Sequence, residues 1–177
     1  MQPTHPTFSA TVIKTIVVHT VTYFTMGVIA FTLLDYSSLY SGAGVSGFLR
    51  PTSDRLVMAG PLFQPLRGLL FGAILYLLRE PFFHRRNGWL ALWATLVVIG
   101  ILGTSVAGPG SLEGVVYTTV PLSFHLKSLP EVIIQTLLFS GMISYWITHP
   151  EKKWLNWVLG VIFFLVLLFP TLGVLLG

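Results

Sequence analysis

The sequence contains no cysteine and few charged residues, and both absences exclude classes of function. Without cysteine the chain has no disulfide, no thiolate metal site and no haem attachment through a CxxCH motif. Charged residues make up 9% of the chain, against roughly 25% in an average soluble protein. Its Lys and Arg residues are scattered and form no basic stripe, so nucleic acid is not an expected partner. Because 54% of the residues are hydrophobic, the composition predicts an integral membrane protein.

Five apolar stretches are each close to the roughly 20 residues that a helix needs to cross a bilayer. Backbone polar groups in lipid must be hydrogen-bonded within their own segment, so each stretch is expected to be a helix. The sequence therefore predicts an all-α fold: one polytopic membrane domain, residues 1–177, with five transmembrane helices and two outer loops, 35–55 and 108–130. The predicted spans are 11–34, 56–79, 88–107, 131–148 and 154–175.

Basic residues are divided unequally between the two sides of this arrangement. Lys14, the segment 79–88 and the segment 149–153 lie on one side and hold more basic residues than the other side, where Arg50, Arg55 and Lys127 lie. Since basic loops favour the cytoplasm, we expect a cytoplasmic N-terminus and an external C-terminus. The expected location is a plasma or inner membrane.

Two of the predicted hairpins share a sequence pattern. RGLLF (67–71) matches QTLLF (135–139), and each is followed by a basic loop and then by tryptophans. A parallel repeat of two helical hairpins after a first helix would explain the match. Two unrelated membrane hairpins would also share basic loops and tryptophan belts, so both interpretations stay open.

The outer end of the second predicted span is interrupted by Gly60, Pro61 and Pro65. Proline fits the first turn of a helix and not its interior. The pattern predicts a short surface helix from about Ser53, then a break, and a continuous helix from about Pro65. Further along the same span, Gly68 and Gly72 form a GxxxG motif, which permits a close contact with another helix.

Arg67 places a permanent charge within the second predicted span. Its side chain either extends to the outer interface or meets an internal anionic partner, and we favour the carboxylate of Glu131 as that partner. Gln64 lies one turn from Arg67, and Gln135 lies one turn from Glu131. These four residues predict an internal ion pair or a ligand-binding site at the outer mouth of the bundle.

Two polar features of the spans have structural explanations. The segment SLPE, residues 128–131, is a capping-box pattern, in which Ser128 and Glu131 would begin the fourth helix. His19 lies within the first span, where a hydrogen bond between packed helices is a more frequent role for histidine than proton relay or haem ligation.

The two outer loops hold further candidates for a functional site. Each is roughly twenty residues long, against the usual 2 to 8 between neighbouring helices, and long loops often carry function. An enzyme would have to use Glu113 and His125 as its acid and base. No metal ligand, cofactor or catalytic residue is predicted, because no local spacing supports one. The loop candidates are Asp35, Arg50, Arg55, Glu113, Tyr117 and His125.

Three classes of function fit these features. The first expectation is a non-catalytic subunit of a larger membrane assembly, or a homo-oligomer, with membrane lipids and a protein as partners. The alternative is a carrier or binding protein for a small anionic solute or a lipid headgroup, with its pocket on the outer face beside the broken second helix. A membrane-embedded enzyme that uses outer-face Glu and His is the third.

Overall fold

A computed structural model describes residues 6–36, 45, 47 and 49–176, and within these residues the structure is helical, with no strand. Helix α1 (Phe8–Leu33) is followed by α2 (Arg55–Met58), a 3-10 turn (Gly60–Phe63) and α3 (Gln64–Leu77). Next come α4 (Arg79–Phe83) and α5 (Gly88–Val97), which continues into a π-helical turn (Val98–Leu102). The remaining helices are α6 (Leu112–Tyr117), α7 (Leu122–Thr148) and α8 (Trp154–Leu176).

Three of these helices, α1, α7 and α8, are long and apolar enough to cross a membrane, with 26, 27 and 23 residues. The segment Gly88–Leu102 is apolar and shorter. Helix α3 has 14 residues, so at 1.5 Å per residue it is about 21 Å long, less than the roughly 30 Å of a hydrocarbon core. Helix length therefore supports three of the five predicted spans.

Contacts between the helices show that successive long helices alternate in direction. Helix α1 runs antiparallel to α3, because Phe8 packs edge-on against Tyr76 at 5.2 Å between ring centroids while His19 meets Gln64. It also runs antiparallel to α7, since Lys14 Nζ donates to the carbonyl of Trp146 at 2.8 Å while His19, further along α1, packs against Phe139, earlier on α7.

The alternation gives the bundle two different ends. The basic end holds Lys14, Arg79, Arg85, Arg86, Lys152 and Lys153. The loop end holds α2, the 3-10 turn and α6. Helix α8 starts at the basic end, where Asn156 accepts a hydrogen bond from Trp146, and it finishes at the loop end, where Gly173 contacts Met58.

Helix α1 forms the centre of the bundle and packs against α3, α7 and α8. Its buried face includes several threonines. Thr11, Thr15 and Thr22 each donate to the carbonyl four residues earlier, at 2.7 to 3.1 Å. Because these hydroxyls are hydrogen-bonded within their own helix, they can be buried among apolar neighbours at little cost.

The predicted close contact of the GxxxG motif is confirmed, and the partner is α1. A Cβ atom on Gly68 would lie 2.7 Å from the Cα of Ile16, and one on Gly72 would lie 2.8 Å from the Cα of Val12. Only glycine allows the two backbones to approach this closely. The motif therefore sets the register between α1 and α3.

The predicted break before the second long segment is also confirmed. Helix α2 begins after Asp54, whose side chain accepts from the Leu56 amide at 2.8 Å. That hydrogen bond and the Arg50 guanidinium hold the pKa of Asp54 below its ordinary value. Pro61 and Pro65 occupy the first turns of the 3-10 turn and of α3, where no amide hydrogen is needed.

The predicted capping box at residues 128–131 is wrong. Helix α7 begins at Leu122, after Pro121, and Pro130 lies inside it. Ser128 donates to the carbonyl of His125 at 3.0 Å, so it does not cap a helix start. The last nine residues of the predicted second loop are therefore helical. Bundle packing and local hydrogen bonds let a membrane helix tolerate proline, which makes proline a weak boundary signal here.

The proposed repeat pairs helices of different length, since α3 has 14 residues and α7 has 27. The third predicted span also ends early, because the amide of Gly103 bonds to the carbonyl of Val98 and closes the helix there. The repeat and the five-span topology stay predictions.

Replacing Gly68 with alanine should destabilise the bundle. The added methyl would meet backbone rather than a movable side chain, so we expect the free energy of unfolding to fall by about 1–3 kcal/mol. Gly160→Ala in α8 is the control, because a Cβ there meets nothing within 4 Å. It should be neutral or stabilising by up to about 1 kcal/mol. Thermal unfolding in detergent measures both; equal effects would contradict the close contact.

Candidate functional site

His19 joins three helices near the middle of the bundle. Its Nε2 lies 3.2 Å from Oε1 of Gln64, whose amide nitrogen donates to the carbonyl of Gly60 at 3.2 Å. With the amide nitrogen used as a donor, Oε1 is the acceptor, so His19 carries its proton on Nε2. The ring packs edge-on against Phe71 and Phe139, at centroid distances of 5.0 and 5.8 Å. The predicted interhelical hydrogen bond of His19 is confirmed.

An apolar cavity of about 460 Å³ lies at the loop end, next to the 3-10 turn. Its walls are side chains of α1 and α2 together with the last turns of α8, including Phe31, Val57 and Pro170. Glu131 is the charged residue among the described residues that line it. The volume falls within the roughly 300–1,000 Å³ of sites for small molecules.

A second, polar cavity of about 400 Å³ adjoins the first. Arg67 from α3, and Lys127 and Ser128 from α7, contribute its polar lining. Tyr36 and Glu131 line both cavities. The two cavities therefore form one amphipathic site, apolar on one side of Glu131 and positively charged on the other.

Glu131 and Arg67 face the same polar cavity without touching each other. The half-buried carboxylate of Glu131 makes no hydrogen bond or ion pair with any described residue. The Arg67 guanidinium lies 5.3 Å from the centroid of the Phe71 ring, on an exposed part of α3. The direct ion pair favoured from the sequence is thus not formed among the described residues. Both groups are instead available to a ligand.

The two glutamines of the predicted site lie elsewhere. Gln64 is buried in its bonds to His19 and Gly60. Gln135, one turn beyond Glu131 on α7, is not among the residues that line either cavity. The structure therefore brings together Arg67 and Glu131 of the four, and adds Lys127, Ser128 and Tyr36.

The candidates of the first outer loop do not gather at one point. Arg50 forms an ion pair with Asp54, 3.0 Å between nitrogen and oxygen. Arg55 is exposed on the first turn of α2. Asp35 follows α1 with a φ of +46°, a left-handed conformation that aspartate tolerates better than most residues. None of these three lines either cavity.

His125 has a structural role in the second loop. It is 2% exposed, and its Nδ1 accepts from the Gly110 amide at 3.0 Å. Gly110 has a φ of +83°, which favours glycine, and Ser111 caps α6 by accepting from the Gly114 amide. The hydrogen bond from Gly110 to His125 thus attaches the start of this loop to α7.

The remaining loop candidates lie on α6 and do not form an acid–base pair with His125. Glu113 makes no hydrogen bond to His125 among the described residues, and Tyr117 is 75% exposed. Within the described part of the chain no three His, Asp or Glu side chains are grouped so that they could hold a metal ion.

Sequence reasoning missed Lys127 as a member of the site. Lys127 and Glu131 are four residues apart, so on one helix they share a face. That signal was hidden because the helix was predicted to start at Glu131. Pro170 and Gly173 of α8 line the apolar cavity because of how distant segments of the chain pack together. No local sequence pattern indicates such packing.

No family model, curated protein or solved structure matches this chain. The function is therefore argued from the chemistry and geometry of the site.

The hydrogen bond between His19 and Gln64 should be measurable as a coupling energy. In a double-mutant cycle of His19→Ala and Gln64→Ala, we expect a coupling of about 0.5–1.5 kcal/mol in unfolding free energy. The control cycle combines His19→Ala with Gln135→Ala, whose effects should add, since no hydrogen bond joins Gln135 to His19. Additive losses in the first cycle would show that the bond contributes nothing.

Proposed function

We propose that this protein binds an amphipathic molecule of the phospholipid class at the loop end of a membrane-embedded bundle. The observation that carries the proposal is the pair of adjoining cavities, which share Tyr36 and Glu131. The apolar cavity suits an acyl chain. The polar cavity, with Arg67 and Lys127, suits the headgroup.

The proposed membrane placement has five passes, with the basic end in the cytoplasm. The three long apolar helices and the alternating directions of successive helices support it. The 3-10 turn extends α3 to Gly60–Leu77, and the π-helical turn extends α5 to Gly88–Leu102, so both segments gain length toward the loop end. An excess of basic residues at one end favours the cytoplasm for that end.

The charges of the polar cavity favour a zwitterionic headgroup. Arg67 can hold a phosphate through two parallel hydrogen bonds, and Lys127 adds a second positive charge. Glu131 supplies a carboxylate for an ammonium group, next to the ring of Tyr36. A carboxylate without a partner at this depth is costly, so an ammonium group that neutralises it is bound favourably.

A role as subunit of a larger assembly stays a prediction. Only 17% of the apolar window of α7 and 11% of that of α8 is buried within the bundle. The exposed apolar faces of α7 and α8 must therefore be covered by lipid or by another protein chain. The mass of the particle extracted with a mild detergent distinguishes a single chain from a homo-oligomer or a complex.

Removing the two cations of the polar cavity should reduce lipid retention. We expect Arg67→Ala/Lys127→Ala to lower the amount of co-purifying phospholipid per chain roughly tenfold, because each cation contributes a charge-assisted contact to the phosphate. Quantitative mass spectrometry of extracted lipids measures it. Arg55→Ala is the matched control, since Arg55 is an exposed cation at the same end that lines neither cavity. Equal retention in all three proteins would contradict the proposed headgroup site.

Filling the apolar cavity should reduce the retention of the same phospholipid. Gly27 lines this cavity, and a Cβ there meets nothing within 4 Å, so we expect the side chain of Gly27→Leu to occupy the space of the acyl chain. We expect a similar loss of retained phospholipid with unchanged thermal stability in detergent. Gly160→Leu, outside the cavity, should retain lipid normally. Normal retention in Gly27→Leu would show that the acyl chain lies elsewhere.

A further inference from the structure

A third cavity, of about 330 Å³, lies at the basic end of the bundle. It is enclosed by α4, the start of α5 and the last turns of α7. Arg85, Arg86, Trp89, Ser144 and His149 contribute its polar and aromatic lining. This cavity shares no residue with the two cavities of the loop end.

Ser144 lines this cavity, and its buried hydroxyl is unpaired within the described part of the chain. The residue is 8% exposed, and its Oγ has no hydrogen-bond partner among the described residues. Thr136 and Thr148 of α7 bond to a carbonyl of the preceding turn, while the fully buried Ser140 also lacks a partner among these residues but does not line the cavity. A buried hydroxyl without a partner is uncommon in folded proteins and points to a ligand or water atom as its partner.

The two arginines of the cavity are also available. Neither guanidinium makes a hydrogen bond or an ion pair with a described residue. The nearby acid Glu80 lies on α4 and pairs with His84 at 3.5 Å. Glu151 is the other acid of this end, against six lysines and arginines. Two cations and no carboxylate therefore stand among the described residues that line the cavity, which favours an anion there.

The opposite wall of the cavity is held in place by its own contacts. His149 Nδ1 donates to the carbonyl of Tyr145 at 2.9 Å, and its ring stacks on Tyr145 at 4.3 Å between centroids. The Tyr145 hydroxyl accepts a hydrogen bond from Lys152. The start of α5 adds the positive end of a helix dipole, which offsets the negative end of α7. A rigid wall lowers the entropic cost of binding.

We propose that this cavity binds the phosphate of an anionic phospholipid in the leaflet at the basic end. Arg85 and Arg86 provide the charge, and Ser144 provides a hydroxyl donor. Trp89 and Tyr145 have the amphipathic rings that settle at headgroup level, which puts the cavity where lipid phosphates lie. Basic pockets between helices on the cytoplasmic side are suited to anionic headgroups. The site is independent of the one at the loop end.

The test is a titration of the purified full chain, in a nonionic detergent, with phosphatidylglycerol, monitored by native mass spectrometry. We expect Arg85→Ala/Arg86→Ala to weaken binding roughly 25-fold, at about fivefold for each basic side chain. Ser144→Ala should weaken it about threefold to tenfold without loss of thermal stability, since the hydroxyl has no partner in the protein. Lys153→Ala is the control, because this exposed cation of the same end does not line the cavity.

Two further titrations identify the source of the phosphate. Phosphatidylcholine should bind much more weakly than phosphatidylglycerol, and inorganic phosphate should not displace the lipid at equal concentration. A loss in Lys153→Ala as large as that in a single arginine variant would overturn the proposal, because it would show diffuse attraction to the surface. Tight binding of inorganic phosphate without lipid binding, or unchanged affinity in Ser144→Ala, would overturn it as well.

Discussion

The close approach of α3 to α1 is the constraint on which the rest of the bundle depends. Gly68 and Gly72 allow the α3 backbone to reach the Cα atoms of Ile16 and Val12. This register brings Gln64 beside His19, and Gln64 in turn holds the carbonyl of Gly60. The contact thus fixes where the 3-10 turn lies beside α1. Inside a membrane, helices associate through close packing of small residues rather than through the hydrophobic effect. A close contact of this kind therefore organises the helices around it.

The loop-end site is a consequence of that arrangement and of the proline break. Pro61 and Pro65 interrupt the α-helical hydrogen bonding before α3, and α2 and the 3-10 turn pack against α8. A gap is left between α1, α2 and α8, and α7 closes it with Glu131. Glu131 therefore lines a space that exists because the prolines interrupt the helical backbone before α3.

Local signals predicted the break, the GxxxG contact and the interhelical role of His19, because each depends on a few neighbouring residues. The start of α7 was mispredicted, since Pro130 and the pattern SLPE resemble a helix start while the helix continues through them. The ion pair predicted between Arg67 and Glu131 is not formed among the described residues, and the reason is different. Glu131 has the right charge and depth, but the distance between two side chains depends on the rotation of α3 and α7 about their axes, which α1 determines by packing between them.

The two ends of the bundle differ in one chemical respect that bears on both proposed sites. At the loop end, Glu131 lies among the cations and weakens their attraction for a headgroup that carries only negative charge. At the basic end, the described residues that line the cavity of Arg85 and Arg86 include no carboxylate, so a negative headgroup is attracted there without that opposing charge. If both sites hold lipids, they select different headgroups in the two leaflets. A bilayer with anionic lipid on its cytoplasmic side would then stabilise one orientation of the chain, in the same direction as the positive-inside rule.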